Sequence, residues 1–229
     1  MMMHASSMHY FPVTAPFMLL LGVLLAVVIT LIELGAITYA YEKIGIRRQF
    51  VFLVLLGTLL GSAVNIPIAE FPARDVKVAQ VVQFLGVQYV VPQIEHHDKT
   101  VLAVNLGGAL IPLGISIYLL VKNRVYVEAA IAVAIVAAIT NRMAWPVPGV
   151  GIAISPFVAP ITAAVVAVII SRRQAAPIAY IAGSVGTLLG ADILNLYKIQ
   201  ALGAPIASIG GAGIGDGVFL AGIVAVLLA

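Results

Sequence analysis

Two aspartates, Asp192 and Asp216, interrupt apolar sequence in GTLLGADILNLYKIQALGAPIASIGGAGIGDG, residues 186–217. An ionisable group inside a membrane span is costly and marks a functional site by default. Two carboxyls brought within a few ångströms cannot both ionise easily, so the pair shares one proton. The ionised member can then take a proton from water while the protonated member donates to a carbonyl oxygen, which is the chemistry of peptide hydrolysis by paired acids. Gly213, Gly215 and Gly217 remove side-chain bulk around Asp216, so that backbone or water can come close.

The elements that must position these groups are membrane helices. Of 229 residues, 62% are hydrophobic and 9% charged, and the mean hydropathy is +1.15. Soluble domains carry about 25% charged residues. The chain therefore reads as an all-α polytopic protein of the cell membrane with the lipid bilayer as its partner. The net charge of +3 comes from basic residues scattered through short loops, so no nucleic-acid partner is implied. The absence of cysteine excludes disulfides and thiolate metal sites. The first residues lack a basic n-region, and the apolar run after them is too long for a signal-peptide core, so it reads as a retained first helix.

A span needs about 20 apolar residues. Seven runs qualify: 17–41, 50–70, 100–121, 125–141, 152–170, 177–197 and 206–229. Lys43, Arg47 and Arg48, then Lys122 and Arg124, then Arg172 and Arg173 follow the first, third and fifth runs. These short basic loops share one side, which the positive-inside rule makes cytoplasmic, giving an N-out, C-in topology. Asp192 and Asp216 then fall at comparable depth below the outer surface. The outer 71–99 segment is rich in valine around Leu85-Gly86, which fits a short β-hairpin. An interfacial amphipathic helix is the competing form.

The chain reads as a single domain, 1–229, with a faint internal repeat. Gly57-Thr58-Leu59-Leu60-Gly61 recurs as residues 186–190, an asparagine follows each (Asn65 and Asn195), and Gly107-Gly108-Ala109 recurs as Gly210-Gly211-Ala212. Units 17–121 and 152–229 would then share one orientation, as parallel repeats of transporters do. The competing account is that membrane helices share a small alphabet, and that both GTLLG elements serve close helix packing.

Gly213-Ile214-Gly215-Asp216 matches the GxGD motif of the intramembrane aspartyl proteases: presenilin, signal peptide peptidase and the type IV prepilin peptidases. The chain resembles them in this motif and in the placing of its aspartates on the sixth and seventh spans. That resemblance implies that Asp216 and Asp192 are catalytic and that the substrate is a transmembrane or membrane-adjacent peptide. The chain departs from the pattern at Ala191, where those families usually have tyrosine, and seven spans leave their later Pro-Ala-Leu motif without a counterpart. The whole chain also resembles a family of small microbial membrane proteins with no assigned activity.

Asn65, Asn105, Asn195 and Glu70 belong to the same outer layer. They either line a hydrated cavity or make interhelical hydrogen bonds. Glu33 is either a proton-coupling carboxylate or a group satisfied by a neighbouring helix or water. Glu95-His96-His97-Asp98 offers ligand types, but consecutive residues rarely converge, and no metal or cofactor is expected. Arg142 and Trp145 suit an interface anchor, or Arg142 neutralises an aspartate. No Walker loop, nucleophile elbow or HExxH occurs. Three functions follow: an intramembrane aspartyl protease, an ion-coupled permease using the same aspartates, or an assembly subunit without chemistry.

Overall fold

The computed structural model describes residues 15–72, 76–84, 87–95, 99–147, 151–201, 206–211 and 217–229. It divides into two compact units, Met1–Thr38 and Tyr39–Ala229. Helix α1 (Ala15–Lys43) begins in the first unit, and its last turns belong to the second. The second unit contains α2 (Arg48–Ser62), α3 (Ile111–Asn123), α4 (Tyr126–Met143), α5 (Val158–Ile170), α6 (Ala175–Thr187) and α7 (Gly217–Leu228). Each apolar run of the sequence thus holds a helix, and all but α1 and α4 are shorter than their runs. Among the described residues, three helical stretches are long and apolar enough to cross a membrane: Leu106–Asn123, Tyr126–Met143 and Ala175–Lys198. The bent pair Glu33–Lys43 and Arg48–Ser62 would be a fourth, while α5 and α7 are shorter apolar helices.

The expectation of an all-α chain holds for the bulk of the molecule and fails at one end. There, strands replace the expected helical turns. The run 50–70 stops being helical at Ser62 and continues as β1 (Asn65–Pro72). Pro67 disfavours helical backbone at Ile66 and has no N–H to donate. The ladder accommodates it by a register shift between Pro67 and Ala69. The run 100–121 opens as β4 (Lys99–Asn105), and 206–229 opens as β7 (Ile206–Ile209). Strand β4 is central: β1 pairs with it antiparallel, Asn65 opposite Asn105, and β7 pairs with it parallel, Val101 opposite Ile206. Buried Leu102, Ala109, Leu188, Ile209 and Val218 join this sheet to the helices.

The hairpin expected in 71–99 is present as β2 (Val76–Phe84) and β3 (Val87–Glu95), antiparallel from Val76 opposite Glu95 to Phe84 opposite Val87. Leu85 and Gly86 lie outside the described residues. A third pair, β5 (Trp145–Val147) with β6 (Gly151–Ala153), links α4 to α5.

Helix α6 is the axis, enclosed by α3, α4, α5 and α7. Its residues are almost all buried because they are small where neighbours cross. A Cβ at Gly183 would lie 2.7 Å from the Ala221 carbonyl oxygen, and one at Gly186 would lie 2.8 Å from Val136. A Cβ at Gly190 would collide with Thr140 and with the Ala137 carbonyl. Both GTLLG elements therefore pack helices, though unevenly. Gly61 abuts Gly107, whereas a Cβ at Gly57 would meet only Ile111, at 3.6 Å. Large apolar side chains such as Phe52, Val127 and Ile169 are exposed on the helices. That surface suits lipid rather than water.

This packing makes a direct prediction. Gly183→Val forces bulk against the α7 backbone and should destabilise by about 1–3 kcal/mol, the usual cost of overpacking. Gly57→Ala, which has room, should be neutral or slightly stabilising. Thermal unfolding of the purified proteins in detergent checks both.

Candidate functional site

The helix begun by α6 does not end at Thr187. It widens into one π-turn, Leu188–Asp192, and then tightens into a 3-10 stretch, Ile193–Ala201. Such single wide turns recur at functional sites. Here the change leaves carbonyls to be satisfied, and Asn195 does it. The fully buried Asn195 donates from Nδ2 to the Gly190 and Ala191 carbonyls at 2.8 and 3.0 Å. Its Oδ1 has no hydrogen-bond partner among the described residues.

Asp192 closes the π-turn. Its Oδ2 accepts from the Gly210 N–H at 2.8 Å. Gly210 follows β7 directly and is glycine for two reasons: its φ is +84°, and a Cβ would come 2.6 Å from the Ala109 nitrogen. The carboxylate thereby fixes the end of β7 to the end of the α6 axis.

A cleft of about 280 Å³ opens beside Asp192. Thr187, Ala191 and Asp192 form one wall, the Ile152–Pro156 segment with Ala159 a second, and Gly217, Val218 and Leu220 of α7 a third. Thr187 spends its hydroxyl hydrogen on the Gly183 carbonyl at 2.6 Å. Asp216, Gly213 and Gly215 lie outside the described residues. Gly217, the residue after Asp216, does line the cleft, with nothing within 4 Å of where its Cβ would be.

Asn65 and Asn105 do not line this cleft. Asn105 is buried and holds a helix start: its Oδ1 accepts from the Gly108 N–H at 2.7 Å, and its Nδ2 donates to the Ser62 carbonyl at 2.8 Å and to Asn65 Oδ1 at 3.1 Å. Asn65 Oδ1 also accepts from Ser208 Oγ at 2.7 Å. Of the two roles open to these asparagines, hydrogen bonding between elements is the one seen. Strand β7 connects the two clusters, since Ser208 bonds to Asn65 and Gly210 to Asp192.

Glu70 forms an exposed ion pair with Lys99 across β1 and β4 at 2.8 Å, an arrangement worth at most about 1 kcal/mol. Glu33 lies on α1 within the first unit. Of Glu95-His96-His97-Asp98, Glu95 ends β3 and the other three lie outside the described residues. Among the described residues no three metal-ligating side chains gather. Gly210, Ser208 and Ser155 were missed as site residues. The Gly-Gly pair was the available signal, read from sequence only as part of the internal repeat.

A family model described as "Protein of unknown function (DUF1614)" matches residues 59–228. No curated protein and no solved structure matches the chain.

The Asp192–Gly210 bond separates charge from shape. Asp192→Asn keeps an oxygen acceptor and should unfold close to wild type. Asp192→Ala leaves the buried Gly210 N–H unpaired and should lose about 1–3 kcal/mol. Thermal melts of the three proteins, side by side in one detergent, check this.

Proposed function

This chain belongs to the DUF1614 family, and we propose that it is a multi-pass intramembrane aspartyl peptidase whose Asp192 and Asp216 hydrolyse a transmembrane or membrane-adjacent peptide. One observation supports this above the others: the Asp192 cleft is also lined by Gly217, immediately after the Gly213-Ile214-Gly215-Asp216 motif. A cleft, a carboxyl group and a second carboxyl one residue from the lining are the components that paired-acid hydrolysis requires.

In this mechanism the two carboxyls hold one proton between them. The ionised one removes a proton from water, the water oxygen attacks the scissile carbonyl carbon, and the protonated one donates to the carbonyl oxygen. Collapse of the tetrahedral intermediate returns a proton to the leaving nitrogen and restores the shared-proton pair. The Gly210 N–H holds one Asp192 oxygen in place through this cycle. Unpaired strand edges are excluded from hydrocarbon, so the strand end of the bundle is assigned to the outer membrane surface and the basic loops to the cytoplasmic side.

A second reading, an ion-coupled permease, draws support from the parallel strands β4 and β7. Each leads into a Gly-Gly pair and then a helix, as repeated units would. Asp192 would then hold a cation or proton.

Reconstituted wild-type, Asp192→Asn and Asp216→Asn proteins, given a quenched fluorescent transmembrane peptide, distinguish these readings. Each substitution is expected to reduce cleavage at least ~100-fold, the low end of general acid–base contributions. Equal cleavage by all three removes the peptidase. Proton uptake into the same liposomes by wild type but not by Asp192→Asn would assign the permease instead.

A further inference from the structure

The end of α6 opposite Asp192 carries a second constellation. Ala175 and Asp192 are 17 positions apart, about 26 Å of helix. At the Ala175 end the three basic loops converge, as their shared side in the sequence anticipates. A cavity of about 370 Å³ is lined by Lys43, Lys122, Arg172 and Arg173, and by the first turn of α6 from Gln174 to Pro177. Backbone N–H groups at a helix start favour anions. Among the described residues no acidic side chain lines this cavity. Four cationic side chains line it.

The two lysines are fixed but not used up. Lys43 Nζ donates to the Val226 carbonyl at 3.0 Å, and Lys122 Nζ to the Gly45 carbonyl at 2.6 Å. An ammonium group has three donors. Arg172 and Arg173 are exposed and make no ion pair among the described residues. The nearby acid Glu42 is engaged by Arg48 at 4.0 Å.

Gly45 and Lys122 also belong to a neighbouring cavity of about 580 Å³ between α2 and α3. Its walls are apolar: Ile46, Phe50, Val54 and Ile115, with Tyr118 and Arg47 towards the cationic end. At Gly114, which lines it, nothing lies within 4 Å of a Cβ position. A cationic mouth thus continues into an open apolar slot along the helices. A free anion would use only the mouth, and an uncharged apolar ligand only the slot. The shape and charge together match one molecule with both parts.

We propose that this composite cavity binds an anionic phospholipid, its phosphate held by Lys43, Lys122, Arg172 and Arg173 and one acyl chain lying between α2 and α3. Anionic lipid at a cytoplasmic surface gains from each basic residue near the headgroup.

Native mass spectrometry of the full chain in neutral detergent, titrated separately with dioleoyl phosphatidylglycerol, dioleoyl phosphatidylcholine and inorganic phosphate, tests this. Phosphatidylglycerol should bind at least about 25-fold tighter than phosphatidylcholine, and phosphate weakly. At about fivefold per cation, the double change Arg172→Gln and Arg173→Gln should weaken phosphatidylglycerol ~25-fold and weaken phosphatidylcholine less, because its choline offsets the phosphate charge. Gly114→Leu, whose Cβ would meet nothing within 4 Å among the described residues, puts a branched side chain at the slot and should weaken both lipids. Equal binding of the two lipids, indifference of phosphatidylglycerol to both variants, or phosphate binding as tight as phosphatidylglycerol would each overturn the assignment. Thermal melts matching wild type establish that both variants are folded.

Discussion

Close contact between helices that lack side chains at their crossing points is the constraint on which the second unit depends. In lipid, apolar side chains gain little by leaving one apolar medium for another, so helices associate through van der Waals contact. Gly183, Gly186, Gly190 and Gly222 allow the α6 backbone to approach α7 and α4 more closely than any Cβ would permit. The result is a buried axis with large side chains directed outward. That axis places Asp192 at one end and the cationic mouth at the other, so both sites are set by the same packed helix.

The second constraint is backbone hydrogen bonding at the strand end. Where helices stop short, their N–H and C=O groups need partners. Strands β1, β4 and β7 satisfy one another, Asn105 satisfies the start of the α3 segment, and Asn195 satisfies the irregular end of the α6 segment. Asp192 takes part in the same scheme through Gly210. Its carboxylate is therefore a structural acceptor as well as a candidate acid or base. One oxygen holds β7 in place, while the residue borders a cleft that reaches the start of α7.

Charge is distributed between the ends in a way that follows from this plan. At one end Lys43 donates to a carbonyl in the last turn of α7, where cations are favoured, and Lys122 to the Gly45 carbonyl in the turn after α1. The cations left over are arginines, whose planar, permanently charged heads suit phosphate. At the other end carboxylate and amide groups meet backbone N–H groups. An acid-bearing cleft and a cationic mouth thus lie at the two ends of one buried helix.

Local information made much of this legible. Apolar runs located the helices, basic loops were grouped on one side, and valine density around Leu85-Gly86 marked the hairpin, because hydropathy and β-propensity are properties of neighbouring residues. Asp192 stood out for the same reason: a carboxyl in an apolar run is visible in sequence. The strand identity of Asn65–Pro72, Lys99–Asn105 and Ile206–Ile209 was not visible, since a short apolar run becomes a strand only when another strand lies beside it, and β7 finds β4 about a hundred residues away. The Gly210 partner of Asp192, the bonding role of Asn105 and the meeting of three basic loops around one cavity were likewise decided by tertiary structure, because each joins groups that the chain itself keeps far apart.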